Sequence, residues 1–484
     1  MGIRMIREKQ IAVDEIDRKT PLITDTADRI WEYAELSLQE FKSAALYCEV
    51  LEQEGFDVRR KVAGIETAFC ASFGNGRPVI GILAEYDALS GLSQKCGGLE
   101  QEEIVAGGNG HGCGHNLLGA GAMAAAIGVK AFLQKTQSYG TVVLYGCPGE
   151  EGGAAKAFMA RDGIWKDLDA ALTWHPDDSN EIVTGSTNSC IQVQYKFAGI
   201  ASHASGAPEK GRSALDAVEL MNIGVQFLRE HMSDRARVHY AITDAGGVSA
   251  NVVQPKASVL YMVRSNHVAE AVELQARVDK IAEGAALMTE TSYERKFIDG
   301  CADTVPNHVL ERVMYENFEL LGVPTYTEEE LRYADALAKT YSGSDALPGI
   351  GAANDAQIRM EVAKRRREFG HSMNQFLMPL YQGDAFNPGS TDVGDVSWLT
   401  PTVQIHVASW PNGCPGHSWQ NVSCDRTEIG HKAAVYAGKV LAMGAVDLFQ
   451  NPDLLAQARA EFDMRTAEGF VCPIPRDAQP VIPD

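Results

Sequence analysis

The sequence predicts a two-domain α/β protein: an α/β/α sandwich on a mostly parallel sheet, interrupted by a compact α+β module of ferredoxin-like type. Three observations predict it. At 484 residues the chain exceeds one typical domain. Short, wholly apolar runs alternate with helix-period stretches in the first part, as strands covered by helices on both faces do. Near residue 187 the texture changes to alternating strands and long amphipathic stretches, in the order β, α, β, β, α and a closing strand.

From Thr26 to Gly55, "TADRIWEYAELSLQEFKSAALYCEVLEQEG" carries apolar residues at helical spacing and ends on a glycine, which predicts a helix and a turn. The runs "PVIGILAEYD", "GTVVLYGCPGEEGG" and "DAALTWHP" read as strands, and "LLGAGAMAAAIGVKAFLQ" as a helix between them. In such sheets function gathers on the loops beyond the carboxyl ends of the strands, and each polar cluster here follows an apolar run. The module is placed at residues 187–303, leaving 1–186 and 304–484 as the larger domain. Leu331 to Gly389 reads either as a pocket-shaping excursion or as a surface insertion. The proline-rich end "CPIPRDAQPVIPD" is expected to run over the surface.

A formal net charge of −21 argues against a nucleic-acid partner, which needs a positive face. The opening "MGIRMIREKQIAVDEIDRKT" has charges where a signal peptide needs an apolar run, and no apolar stretch elsewhere reads as long enough to span a bilayer. The expected location is the cytoplasm, with no membrane partner. The ten cysteines are scattered and read mostly as small buried hydrophobes. Cys113 stands apart, because "GHGCGHN" sets it among histidines.

Chemistry-bearing residues recur at predicted strand ends. Glu150 and Glu151 follow "TVVLYG"; neighbours at a strand end point different ways, so one carboxylate is free to hold a metal while the other faces substrate as a general base. His175 follows the next run, and His417 lies downstream in "GCPGHSWQ". With Cys113, His115 and Glu151 they form a set of N, S and O donors suited to zinc or a similar divalent ion, assembled by the fold rather than by local spacing. The donor count points to two metals, with Cys113 placed to bridge them. In the module, His203, Asn251 and Arg264 sit at the edges of apolar or glycine-rich runs, where donors to an oxyanion or a carboxylate are useful.

Taken in order, "GHGCGHNLLGAGAMAAA", "GCPGEEGG", "LTWHP", "ASHASGAPEKGRSALDAV", "GGVSANVVQPKASVLYMVR" and "STDVGDVSW" resemble the amidohydrolase branch of the aminoacylase and carboxypeptidase G metallopeptidases. The resemblance covers nearly the whole chain. It implies a catalytic domain binding two divalent ions, zinc or manganese, and an inserted lid that mediates dimerisation. It further implies Cys113, His115, Glu151, His175 and His417 as metal ligands. Glu150 would activate water and then protonate the leaving amine, and Asp87 would stand behind the metals. His203 would reach a partner's site to stabilise the tetrahedral intermediate, while Asn251 and Arg264 would hold the substrate's carbonyl and carboxylate. The implied substrate is a small N-acyl or N-aryl amino acid, with p-aminobenzoyl-glutamate first and indole-acetyl-amino acids or dipeptides behind it. The implied assembly is a homodimer, or a heteromer with a related subunit, through the lid. The chain departs from the wider family in having a cysteine where an aspartate bridges the metals, and from many branch members in reading His115-Asn116 where they read His-Asp. A non-catalytic subunit and a thiol enzyme using Cys113 with His115 are the rival readings.

Overall fold

The computed structural model describes residues 5–482. Its larger sheet has seven strands in the order Asp57–Arg60, Phe69–Asn75, Gly140–Gly146, Val79–Ala84, Ala170–Asp177, Thr402–Ala408 and Glu181–Val183. The four strands from Gly140–Gly146 to Thr402–Ala408 are parallel to one another, and antiparallel strands extend both edges. These central strands are largely apolar because both faces are covered, with polar residues gathered toward their ends. On one face lies His115–Thr136, packed against Arg7–Tyr33 and Glu428–Gln450. On the other lie Ala155–Arg161 and a cluster around Phe158 and Trp165.

His115–Thr136 is rich in glycine and alanine because its neighbours come too close for larger side chains. A Cβ on Gly121 would stand 2.7 Å from the Trp174 indole nitrogen, and one on Gly438 would stand 2.7 Å from the Ala124 Cβ. The same helix corrects the reading that no apolar stretch is long enough to span a bilayer. It passes that test, yet 94% of its apolar window is buried inside the protein. Its hydropathy is that of a central core helix.

The second sheet is antiparallel, in the order Arg237–Asp244, Lys256–Ser265, Ser189–Ala198 and Ser292–Cys301. Helices Ala214–Leu228 and Val268–Thr289 pack on it, so the chain order is β, α, β, β, α, β as expected. Val193, Tyr195, Phe197, Val218, Tyr261 and Val278 belong to a core of its own.

Three local expectations change. The helix foreseen from Thr26 to Gly55 is two helices, Arg7–Tyr33 and Phe41–Gln53, because Ala34 and Leu38 take left-handed backbone (φ 41° and 63°). Carboxylates stabilise the break: Glu35 accepts from the amides of Lys42 and Ser43, and Glu40 accepts from those of Leu38 and Gly149. The proline-rich end does not merely skirt the surface, since Ile474 is buried and Arg161 donates to the Ala478 carbonyl. The stretch from Leu331 to Gly389 shapes a pocket rather than decorating a surface. It carries the helix Ala356–Phe369, and Asn374 within it donates to Asp178 O and to Asn412 Oδ1.

Candidate metal centre and active site

The four parallel strands open toward one edge, and each delivers polar side chains there. Val79–Ala84 is followed by Glu85 and Asp87, Gly140–Gly146 by Glu150 and Glu151, and the other two carry His175 and His406 near their ends. Register aligns His406 with His175 on neighbouring strands. Cys113 and His115 arrive from the loop entering His115–Thr136, which turns through Gly114 at φ 70°. His417 comes from a distant loop tied by its amide to the Gly112 carbonyl at 3.0 Å.

The five expected ligands meet. Donor atoms of Cys113, His115 and His175 lie within 4.8 Å of one another, as do those of Cys113, Glu151 and His417. Cys113 is common to both triads. Its Sγ is 3.4 Å from His175 Nε2, and His417 Nε2 is 3.3 Å from Glu151 Oε1. Two donors bound at about 2.0–2.3 Å to one tetrahedral ion lie roughly 3.3–3.8 Å apart, so these separations suit shared cations. His115 Nε2 and Glu151 Oε1 are buried with no hydrogen-bond partner among the described residues, which also fits donor atoms meant for a metal.

Behind the cluster, Asp87 orients His115 by bonding its Nδ1 at 2.8 Å. Asp87 in turn accepts from the Ser37 hydroxyl at 2.8 Å and the Glu151 amide at 2.9 Å, and the helix break at Ala34 brings Ser37 to it. Burial works to raise Asp87, but His115 beside it draws it down to about 2. Burial also pushes the Glu150 carboxyl well above its ordinary range, helped by Glu85 and Glu151. That environment suits a proton-carrying acid and base. Burial and then His115 lower His175 to about 4, leaving its imidazole neutral as a ligand must be.

A cavity of about 810 Å³ opens over the cluster, with Cys113, Glu150, Glu151, His175 and His417 in its wall. The stretch beyond Leu331 supplies Ile350 and the strip from Phe386 to Thr391. Of the module's residues, Arg264 reaches this rim, donating to Ser390 Oγ at 3.1 Å. His203 and Asn251 do not line the cavity. Both are exposed on a two-stranded ribbon in which His203 pairs with Val252. His203 Nδ1 accepts from the amides of Ser205 and Gly206 at 3.2 and 3.1 Å, which leaves Nε2 as its outward donor.

Sequence reasoning missed Glu85, Lys156 and Asp392, a buried charged set beside His115, and the acidic wall of Asp177, Asp178 and Glu181. Glu85 had a signal, since it stands two residues from Asp87 in extended chain and so shares its side. His406 had another, as the single histidine in an apolar strand.

The model of the peptidase family M20/M25/M40 matches residues 81–362. The chain belongs to that family. It is 45% identical over 470 residues to a p-aminobenzoyl-glutamate hydrolase subunit of Escherichia coli, covering 96% of this chain and 97% of that protein. It is 25% identical to the human Xaa-Arg dipeptidase, covering 93% of this chain and 92% of that one. Among solved structures, a dinuclear metal-binding M20 peptidase from Bacillus subtilis shares the fold at a TM-score of 0.54 and 17% identity, covering 90% of this chain and 99% of that one. Membership in the family makes the chain a hydrolase of the amide-cleaving type and accounts for a cluster built for divalent metals.

Proposed function

We propose that this M20 chain is a two-metal amidohydrolase that cleaves p-aminobenzoyl-glutamate to p-aminobenzoate and glutamate. The observation that carries the reading is the convergence of Cys113, Glu151, His175 and His417 in one cavity wall with His115 buried behind them, in two triads that share the cysteine. The near full-length relative from Escherichia coli supplies the substrate. Cys113, His115 and His175 would hold one ion, Cys113, Glu151 and His417 the other, with zinc or manganese the metals proposed. When bound, such ions supply Lewis-acid polarisation of the scissile carbonyl and lower the pKa of water.

Glu150 takes the proton from the attacking water and passes it to the departing amine, a task suited to a carboxyl held high by burial. Asp87 keeps the His115 ring in one tautomer and one orientation. Arg264, at the rim beside Ser390, forks the carboxylate of the amino-acid part, and Asn251, outward on the ribbon like His203, meets the carbonyl in the site of a second protomer. Residues 187–303 act as a lid, and its outward His203 completes the oxyanion site of a second protomer, in a homodimer or in a heteromer with a related chain. The cytoplasm is the proposed location, and ten free thiols suit a reducing compartment.

A second reading has a specific observation behind it. Asp177, Asp178 and Glu181 line the cavity with only His406, 2.7 Å from Asp177, against them, and no lysine or arginine does among the described residues, so the wall keeps an acidic surplus that favours a substrate with a cationic side chain, as the name Xaa-Arg dipeptidase carries for its relative. The test is metal content per chain, followed on the same sample by hydrolysis of p-aminobenzoyl-glutamate and of an arginine dipeptide with and without added zinc or manganese. Two metals and metal-dependent glutamate release support the first reading. Two metals and arginine release support the second, and no metal after reconstitution overturns both.

A further inference from the structure

Glu311, on the helix His308–Leu321, lines the cavity over the donor cluster and is 1% exposed. Its two oxygens have different surroundings. Oε2 accepts from Gln382 Nε2 at 3.1 Å and lies 3.9 Å from His308 Nε2, and neither of those residues lines the cavity. Oε1 is therefore the oxygen on the cavity side. It is buried with no hydrogen-bond partner among the described residues, since the Thr184 hydroxyl nearby donates to the Gly383 carbonyl at 3.4 Å. Burial raises this carboxyl to about 7, as befits an acid short of donors.

Arg264 stands at the other end of the same wall. The strip from Gln382 to Ser390 runs beside residues 184–188, where the Ser186 amide donates to the Ala385 carbonyl and the Asn188 amide to the Gly389 carbonyl, both at 2.8 Å. Gln382 at the start of the strip holds Glu311, and Ser390 at its end accepts from Arg264 at 3.1 Å. Residues 184–188 beside it span no more than about 14 Å, comparable with a benzoyl ring plus an amino-acid backbone and a hydrogen bond at each end. Val183, Val305, Pro306 and Phe386 give the cavity apolar surface suited to an aromatic ring. In such a slot a bare acceptor is costly until a ligand donates to it.

We propose that Glu311 is a specificity-determining residue that accepts a hydrogen bond from the p-amino group of the aminobenzoyl part, while Arg264 holds the glutamate carboxylate at the other end. This rests on the p-aminobenzoyl-glutamate reading above. The aryl amino group is uncharged and offers N–H donors at the tip of a flat ring, so it satisfies a lone buried acceptor without bringing a charge of its own. The two residues thus read the substrate from end to end. A benzoyl amide without the amino group leaves Oε1 buried and unpaired, and the site rejects it for that reason.

The test compares kcat/KM for p-aminobenzoyl-glutamate and for benzoyl-glutamate, in the metal-loaded full chain and in Glu311→Leu. The wild type is expected to prefer the amino-bearing substrate by about 10- to 100-fold. Glu311→Leu should bring that ratio close to unity with metal content unchanged. Equal cleavage of both substrates by the wild type, or a preference kept in Glu311→Leu, overturns the role of Glu311. Should Glu311→Leu fail to fold by circular dichroism or to hold metal, Glu311→Gln is assayed in the same way. Its amide oxygen still accepts but carries no charge, so a partial fall in the ratio supports the proposal and an unchanged ratio overturns it. Cleavage of neither amide by the wild type overturns the substrate reading itself, which separates that failure from a failure of Glu311 alone.

Discussion

The strand ends of the seven-stranded sheet and the ribbon on the four-stranded module treat their polar residues in opposite ways. In the sandwich, Cys113, Glu150, Glu151, His175 and His417 turn to one cavity, with His115 buried behind them. On the ribbon, His203 and Asn251 turn outward, and only Arg264 of the module's expected residues reaches the cavity rim. The sandwich thus assembles its site from one chain by topology. The module turns His203 and Asn251 to solvent, where, on the proposed reading, they complete the site of a second protomer.

The largest effect should come from the inward side. Glu150→Gln is expected to lower turnover by about 10²- to 10⁴-fold while metal content stays near that of the wild type, whereas Glu151→Ala should lose metal. Elemental analysis beside initial rates checks this, and equal metal loss in both variants would break the division of roles. On the outward side, His203→Ala should lower kcat by about 10²-fold with metal content unchanged. Mixing that variant with Glu150→Gln should restore activity through mixed dimers; no gain on mixing would mean that the ribbon does not serve a second site.

Smaller effects sharpen the comparison through stability. Burial raises the Glu311 carboxyl in the cavity wall to about 7. A carboxyl raised in the folded state contributes stability that is full below about pH 4.5 and lost as pH rises through about 7. Glu311→Gln should therefore melt above the wild type at pH 8, by an amount on the order of 2 kcal/mol, and the two should converge near pH 4.5. A constant difference across that range would refute the linkage. Gly121→Ala, driven against Trp174 in the sandwich, should destabilise by about 1–3 kcal/mol. Gly284→Ala, on a module helix with nothing within 4 Å of the new Cβ, should stabilise by about 0.5–1 kcal/mol. Urea melts of both variants measure the pair, and effects of the same sign would contradict the packing account.

Much of this molecule was legible in its residues because the patterns are local. Apolar runs bounded by glycine and polar residues mark the buried parallel strands, and the change of period near residue 187 marks the antiparallel module. Donors at strand ends mark the site, since side chains there leave the sheet where ligands sit. The break at Ala34 was not legible, because helical spacing continues across it and it is stabilised by distant contacts such as Ser37 with Asp87 and by the carboxylates of Glu35 and Glu40 folded back on nearby amides. Nor was the stretch after Leu331, whose composition looks like surface until Asn374 anchors it to Asp178 and Asn412 beside the cavity.

By itself, then, the sequence determined which segments become strands and helices and which side chains carry nitrogen, sulfur and carboxylate donors, for these follow from periodicity and residue chemistry. Only the tertiary structure decided that Cys113 serves two triads, that Glu85 faces His115 while held by Lys156, and that His203 faces outward. Those depend on distances of a few ångströms between residues far apart in the chain, which strand order and helix packing set and no local pattern encodes.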